Sequence, residues 1–133
     1  MGRHNFKKLK IWQEGMEIVS ENYRLTRTYP DFERFNLISQ MNRSAVSIPS
    51  NISEGSSKST NRHFIKYLEN SLGSAFEWET QLIVSYNEKY LDEEKFEELE
   101  TKILQIQKDQ SDKSFLAGVI QKMIASFIDN LGK

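Results

Sequence analysis

Residues 38–55 carry the clearest helical pattern of the chain and read ISQMNRSAVSIPSNISEG. Apolar or small side chains recur there at alternating intervals of three and four residues: Ile38, Met41, Ala45, Ile48, Ile52 and Gly55. This spacing places one apolar stripe along one face of an α-helix. Pro49 lies inside the pattern and predicts a kink, since a proline removes one helical hydrogen bond.

Three further segments show the same spacing, and polar or proline-containing breaks separate them. The predicted helices cover about 6–29, 32–56, 60–90 and 92–129. The predicted stripe of the first helix is Leu9, Trp12, Met16, Val19 and Tyr23. That of the third is Ile65, Leu68, Leu72, Ala75, Glu79, Leu82 and Tyr86. That of the fourth begins with Phe96, Leu99, Ile103, Ile106 and Gln110 and continues through Lys113, Ala117, Ile120, Ile124 and Phe127.

The fourth segment contains a run, residues 107–114, that is polar on every side. Either one long helix crosses this run, or the chain breaks there and a separate piece follows. The three-and-four spacing continues through the run, which favours one helix over 92–129. Short connections between long helices predict one all-α domain over residues 1–133, an antiparallel up-down-up-down four-helix bundle.

The composition excludes several classes of protein. The chain has 133 residues, no cysteine and a formal net charge of -1, so disulfide scaffolds and thiolate metal sites are ruled out. No apolar run reaches the roughly 20 residues of a membrane span, and the basic N-terminus lacks the apolar core of a signal peptide. These features predict a cytoplasmic protein without membrane contact.

Titratable groups offer little support for catalysis. The two histidines, His4 and His63, have no histidine partner at helical spacing, and no glycine-rich phosphate loop is present. We therefore expect a protein that is not an enzyme, with no catalytic residue, no metal site and no cofactor.

Glu79 is the most informative acidic residue because it falls on the predicted apolar stripe of the third helix. A buried carboxylate is costly unless it is paired, and Arg43 and Asn51 on the second helix are the candidate partners, with Gln40 as a third. Two interpretations are open: a ligand or ion site inside the bundle, or a polar network that fixes the helix register. The second is favoured.

Charge and aromatic residues point to partners. Residues 1–30 hold six basic and three acidic side chains, and the basic ones include Lys7, Lys8, Lys10, Arg24 and Arg27. A basic helix of this kind can contact a nucleic-acid backbone or remain a solvated face. Aromatic residues exceed what four stripes require, which predicts burial between subunits of a homo-oligomer. They are Phe32, Phe35, Phe64, Phe76, Trp78, Tyr90 and Phe115.

Several motifs resemble the bacterial four-helix-bundle family of 23S rRNA intervening-sequence proteins. They are FKKLKIWQ at 6–13, SIPSNISEG at 47–55, ETQL at 79–82 and KMIASFI at 122–128, so the resemblance extends over essentially the whole chain. The fold of that family is similar to that of the accessory variability protein of diversity-generating retroelements, which is strongly basic, unlike this chain. The resemblance implies a non-enzymatic homo-oligomer, a pentamer, in which the polar motif residues Arg43, Asn51, Glu54, Glu79 and Gln81 hold the second and third helices in register.

Two functional hypotheses follow. In the first, a homo-oligomer repeats the cations of the first helix on one rim and associates with RNA or DNA. In the second, the oligomer is a scaffold that binds a partner protein and makes no nucleic-acid contact.

Overall fold

The computed structural model describes residues 5–112, and these residues form four α-helices and two short 3-10 turns with no β-strand among them. The helices are α1 (Lys10–Thr26), α2 (Leu37–Ser56), α3 (Asn61–Asn87) and α4 (Glu93–Ser111). The 3-10 turns Phe6–Lys8 and Asp31–Glu33 precede α1 and α2. The all-helical class predicted from the sequence is therefore confirmed for this part of the chain.

Two of the four helices, α3 and α4, begin with a side-chain cap. The side chain of Thr60 accepts a hydrogen bond from the backbone N–H of His63 at the start of α3. The side chain of Asp92 accepts one from the N–H of Lys95 at the start of α4, at 2.8 Å. Each contact satisfies one of the backbone donors that a helix leaves free at its first turn.

The fourth helix is shorter than the predicted span. It ends at Ser111, and Asp112 already has extended backbone dihedral angles. The hydroxyl of Ser111 donates to the carbonyl of Gln107 at 2.8 Å. Serine and aspartate side chains compete in this way for backbone groups and disfavour helix continuation. An unbroken helix over 92–129 is therefore wrong at this point, and the remainder of that prediction, 113–129, lies outside the described residues.

The interior confirms the predicted stripes of α2 and of the described part of α4. Met41, Ala45, Ile48 and Ile52 are completely buried on α2. So are Leu99, Ile103 and Ile106 on α4, and Gln110 follows them into the interior. Both helices therefore turn the face that their sequence periodicity indicates towards the core.

The predicted stripe of α1 is confirmed only in part: Leu9, Trp12 and Val19 are partly buried against the core, but the centre of the buried face lies about one residue away. Ile11, Ile18 and Leu25 are buried, whereas Met16 and Tyr23 are exposed. Positions 15 and 22 complete the buried face, and neither carries an apolar side chain. Tertiary contacts explain why these positions face the core. Position 15 is a glycine against which α2 packs, and position 22 is an asparagine that forms a hydrogen bond with a tryptophan of α3.

These two contacts explain why the buried face of α1 is rotated about the helix axis relative to the predicted stripe. A Cβ atom at Gly15 would lie 3.1 Å from Cγ2 of Ile48 and 3.3 Å from Cδ of Pro49, so the missing side chain allows α2 to approach closely. The indole N–H of Trp78 donates to Oδ1 of Asn22 at 3.0 Å. A buried tryptophan usually requires such a partner, and the partner must then face the core.

The predicted stripe of α3 is confirmed at Leu68, Ala75 and Leu82, which are buried, and it differs elsewhere. Trp78 is completely buried and Phe64 nearly so, while Ile65 is exposed and Glu79 is half-buried. Two of the aromatic residues assigned to a subunit surface therefore belong to the core of one chain. Phe32, Phe35 and Phe76 are exposed, and Phe115 lies outside the described residues.

Each helix contacts two others. α2 packs against α1 and α3, and α4 packs against α3 and α1. Between α1 and α4, Glu21 meets Lys95 and Glu17 meets Lys102. None of the helices in residues 5–112 has the length and hydropathy needed to cross a membrane.

Candidate nucleic-acid interface

An open groove of about 830 Å³ lies between α1 and the N-terminal half of α2. We call it the α1–α2 groove; its lining residues are Tyr23, Arg34, Phe35, Ile38, Ser39, Asn42, Arg43, Val46 and Ser47. Two of these residues are arginines, two are aromatic, and none is a carboxylate. A surface of this composition attracts anions and offers flat apolar rings beside the positive charge.

The helices position the lining by their periodicity and by the rotation of α1. Ile38, Asn42 and Val46 are four residues apart and therefore share one face of α2. Tyr23 reaches the groove because Asn22, rather than Tyr23, turns towards the core. Arg34 and Phe35 lie in the short segment between the 3-10 turn and the first residue of α2, so no helix neighbour covers them.

Arg34 and Phe35, which are neighbours in the sequence and line the groove, are in contact. The guanidinium carbon of Arg34 lies 5.3 Å from the centroid of the Phe35 ring. Phe35 is 88% exposed, the highest exposure among the large hydrophobic side chains of the described chain. An arginine over an aromatic face forms a cation–π contact. A ring as exposed as that of Phe35 gains no stabilisation from packing in the core.

Asn42 is oriented by a chain of hydrogen bonds that begins in the core. Trp78 donates to Oδ1 of Asn22, and Nδ2 of Asn22 donates to Oδ1 of Asn42 at 2.7 Å. The hydroxyl of Thr26 also donates to Oδ1 of Asn42, at 3.3 Å. Because both inner contacts use the carbonyl oxygen, the two N–H donors of Asn42 are left for the groove. This orientation adds fixed neutral donors to the two guanidinium groups.

The guanidinium groups near the groove are available for an external partner. Arg43 and Arg34 are exposed, and neither forms an ion pair with a carboxylate of residues 5–112. Arg27 is also exposed and lies four residues after Tyr23, on the same side of α1. The groove and its edge therefore bring three arginines together.

The cations predicted for the first helix do not form one patch. Lys7 and Lys8 precede α1, whereas Arg24 and Arg27 lie at its other end, and the 14 residues from Lys10 to Arg24 span about 21 Å. Lys10 is 3.4 Å from Asp109, and Arg24 is hydrogen-bonded to Glu21. Within one chain these five cations therefore do not form a single cluster, because α1 separates its two ends and two of the charges already have partners. Contact of these residues with nucleic acid stays a prediction.

The polar network predicted from the family motif is not assembled as expected. Glu79 accepts a hydrogen bond from Gln107 of α4 at 2.8 Å, so it faces α4 rather than Arg43 or Asn51. Asn51 donates to the carbonyl of Ser47 within its own helix, at 2.8 Å. Arg43 is exposed, as is the fourth member of the set, Glu54. The set is dispersed because α2 turns only one side towards α3.

Gln81 is the member of that set that joins helices from a buried position. Its Oε1 accepts a hydrogen bond from the hydroxyl of Ser44 on α2 at 2.6 Å. A parallel contact is made by Ser71 of α3, whose hydroxyl donates to the carbonyl of Ile48 at 2.8 Å and accepts from Gln110 at 2.6 Å. Small hydroxyl side chains at core positions thus carry the register contacts. The sequence signal is a serine where an apolar residue is expected in the periodic pattern.

A second polar feature lies between α1 and α4. Burial, followed by hydrogen bonding to Asp109, raises the pKa of Glu14 to about 7. Oε1 of Glu14 and Oδ2 of Asp109 are both buried and accept no hydrogen bond from the described residues, although Nζ of Lys10 lies 3.4 Å from Oδ2 of Asp109. A proton on Glu14 supplies the donor that two facing carboxylates lack. This pair is a source of pH dependence in stability.

The described residues contain no group of three or more His, Cys, Asp or Glu side chains arranged to hold a metal ion.

The groove is what the sequence reasoning missed. The sequence pattern predicts Tyr23 in the core, Phe35 on a subunit surface and Arg43 in a buried network. The available signal was the pair Arg34-Phe35 between Pro30 and the start of α2, where the chain has no helical face to bury an aromatic ring. An arginine next to an aromatic residue in such a connection indicates a binding surface.

The comparisons with known proteins agree with the fold. A family model described as "23S rRNA-intervening sequence protein" matches residues 7–111. The match ends where α4 ends, so the similarity expected for residues 122–128 lies outside it. A crystal structure at 1.70 Å of a protein of unknown function from the S23 ribosomal protein family of Bacteroides thetaiotaomicron VPI-5482 superposes with a TM-score of 0.70. Its sequence is 24% identical, and the alignment covers 75% of this chain and 94% of that one, which establishes a shared fold. No curated protein matches the sequence.

Proposed function

The chain belongs to the family of 23S rRNA-intervening sequence proteins, and from that premise we propose that it is a non-enzymatic, homo-oligomeric protein that associates with RNA. The proposal places the RNA contact in the α1–α2 groove rather than along the whole first helix. The family description refers to an rRNA intervening sequence, which makes RNA the nucleic acid to test first. The proposal includes a cytoplasmic location.

The observation that carries the proposal is the chemistry of the groove. Arg34, Arg43 and the amide of Asn42 supply donors, and no carboxylate lines the groove to oppose a phosphate group. The overall charge of -1 does not argue against this, because a local positive surface attracts a polyanion even on a neutral protein. Phosphate contacts contribute most of the affinity of such complexes.

Each subunit of the proposed homo-oligomer is a four-helix bundle with up-down-up-down connectivity. Two hydrogen bonds between α2 and α3 support this connectivity. Ser44 of α2 contacts Gln81 of α3, whereas Ile48, later in α2, contacts Ser71, earlier in α3, as expected for antiparallel helices. The exposed ring of Phe76 supports burial against another subunit. A five-membered ring is the form that the family resemblance implies, and it would multiply a weak groove contact by simultaneous binding.

The test is RNA binding measured by fluorescence anisotropy as a function of salt. If Arg27, Arg34 and Arg43 each neutralise one phosphate, the slope of log K against log salt is about -2 per subunit. The affinity then falls about 20-fold between about 50 and 200 mM salt. Arg43→Glu should weaken binding about tenfold or more and make the slope shallower by about 0.7.

Arg62→Glu is the matched control. Arg62 is an exposed arginine at the start of α3, so this variant makes the same change in charge away from the groove. Equal losses for the two variants would refute the groove as the site. An absence of RNA binding by the wild-type oligomer at low salt would refute the function itself, and it would favour the protein-binding scaffold.

A further inference from the structure

We infer that the α1–α2 groove binds a single nucleic-acid strand and stacks one unpaired base on the ring of Phe35. This inference rests on the proposed function, since it names the form of nucleic acid that the same site takes. It adds a specificity that positive charge alone does not provide.

Phe35 is the base-stacking surface. Its ring is 88% exposed, and the guanidinium carbon of Arg34 lies over one face at 5.3 Å from the ring centroid, which leaves the opposite face for a base. Base–aromatic stacking tolerates any sequence because every base has a π face, and arginine planes extend such a surface. In a duplex the base faces are covered by their neighbours, so this surface is useful only to an unpaired base.

Asn42 and Arg43 supply hydrogen-bond donors beyond the stacked base. The N–H groups of Asn42 face the groove because its carbonyl oxygen is held by Asn22 and Thr26. Arg43 is the next residue and has no carboxylate partner among residues 5–112. An amide held in one orientation binds an anionic or carbonyl oxygen without first losing its own freedom of rotation.

The size of the groove fits a short strand. The lining on α2 extends from Ile38 to Ser47, which is about 14 Å along the helix axis. That length corresponds to roughly four nucleotides at the about 3.4 Å spacing of a stacked strand. Phe35 lies at the N-terminal end of this path, so the strand runs from the stacked base along the outer face of α2.

A second copy of the chain is a less suitable occupant. A protein surface that fitted the groove would have to bring carboxylates to both Arg34 and Arg43. It would also have to place an apolar group flat against Phe35. A nucleotide carries an anionic group and a flat ring in one unit, which matches this pair of features directly.

The test compares binding of a single-stranded RNA and of a blunt duplex that contains the same sequence, using the full-length oligomer at one salt concentration. Phe35→Ala should lower the affinity for the single strand about 5- to 150-fold, the effect of losing one stacked base. It should leave duplex affinity and the salt slope unchanged. Phe35→Trp should retain binding, because it keeps a stacking ring.

Phe32→Ala is the matched control, since Phe32 is 76% exposed, lies three residues away and does not line the groove. Asn42→Asp keeps the oxygen that Asn22 and Thr26 require but removes the donors, and it should weaken single-strand binding about tenfold or more. Both exposed aromatic rings can be removed without loss of core contacts, so the melting temperature should stay close to that of the wild type.

The outcomes separate this inference from the proposed function. Equal binding of duplex and single strand, or equal effects of Phe35→Ala and Phe32→Ala, would overturn the stacking inference while leaving RNA association intact. A change of oligomer mass on Phe35→Ala, measured by light scattering, would also overturn it by showing that another subunit covers the ring. Loss of all RNA binding in the wild type would overturn both.

Discussion

The carboxyl pair between α1 and α4 leads to a prediction about stability and pH. Burial and the neighbouring Asp109 raise the pKa of Glu14 from 4.5 to about 7, whereas in the unfolded chain the group titrates near its ordinary value. Between these two values the folded protein holds a proton that the unfolded chain releases. The contribution of Glu14 to the unfolding free energy is therefore fully present below pH 4.5 and is lost as the pH rises through about 7.

The magnitude follows from the size of the shift. Ionising a fully buried group with this shift would cost about 3.4 kcal/mol. Glu14 is only partly buried, so water screens the repulsion, and we expect about 1–2 kcal/mol. Glu14→Gln keeps the shape of the side chain and supplies a permanent N–H donor to Asp109. The variant should therefore gain about 1–2 kcal/mol over the wild type between pH 5 and pH 8.

Urea unfolding of both proteins at the two pH values measures this difference, because every other titrating group is common to them. Glu77→Gln is the control. Glu77 is an exposed glutamate on α3 that forms no ion pair with the described residues, so this variant makes the same chemical change away from Glu14. A stability difference between Glu14→Gln and the wild type that is the same at both pH values would refute the account of the carboxyl pair.

Four further predictions concern the packing and the helix ends. Gly73→Ala should stabilise the protein by about 0.5–1 kcal/mol in urea unfolding, because no described atom lies within 4 Å of the added methyl group and alanine favours a helix. Gly55→Ala should instead destabilise it, since the new Cβ would lie 2.7 Å from Cβ of Tyr67; a gain in stability would contradict the close α2–α3 packing. Asn22→Ala should cost about 1–3 kcal/mol, because it leaves the N–H of Trp78 buried without a partner, and thermal melting checks this against the wild type. Asp92→Ala should cost about 1 kcal/mol through loss of the helix cap, and the same assay would show no change if the cap were unimportant.

The helices could be predicted from the sequence because their signals are local. The periodic apolar residues of α2 and the capping residue Asp92 depend on neighbours within a few positions. The end of α4 was harder, since the apolar spacing continued past Ser111 while the local preferences of serine and aspartate opposed it. Local competition for backbone groups prevailed over periodicity at that point.

The orientation of α1 could not be predicted from its own residues. Gly15 and Asn22 face the core because Pro49 and Trp78, which are distant in the sequence, require a gap and a hydrogen-bond acceptor there. The α1–α2 groove depends on the same orientation, which turns Tyr23 outward. A hydrophobicity pattern contains no information about such pairings, so the candidate site became apparent only with the tertiary structure.

The most direct test of RNA binding in the groove is photocrosslinking of a single-stranded RNA containing 4-thiouridine, followed by identification of the crosslinked residues by mass spectrometry. RNA binding in the groove predicts crosslinks at Phe35 and at Tyr23, which are lost at high salt and in Arg43→Glu. Crosslinks confined to Lys7 and Lys8, or to the exposed face of α3, would contradict it.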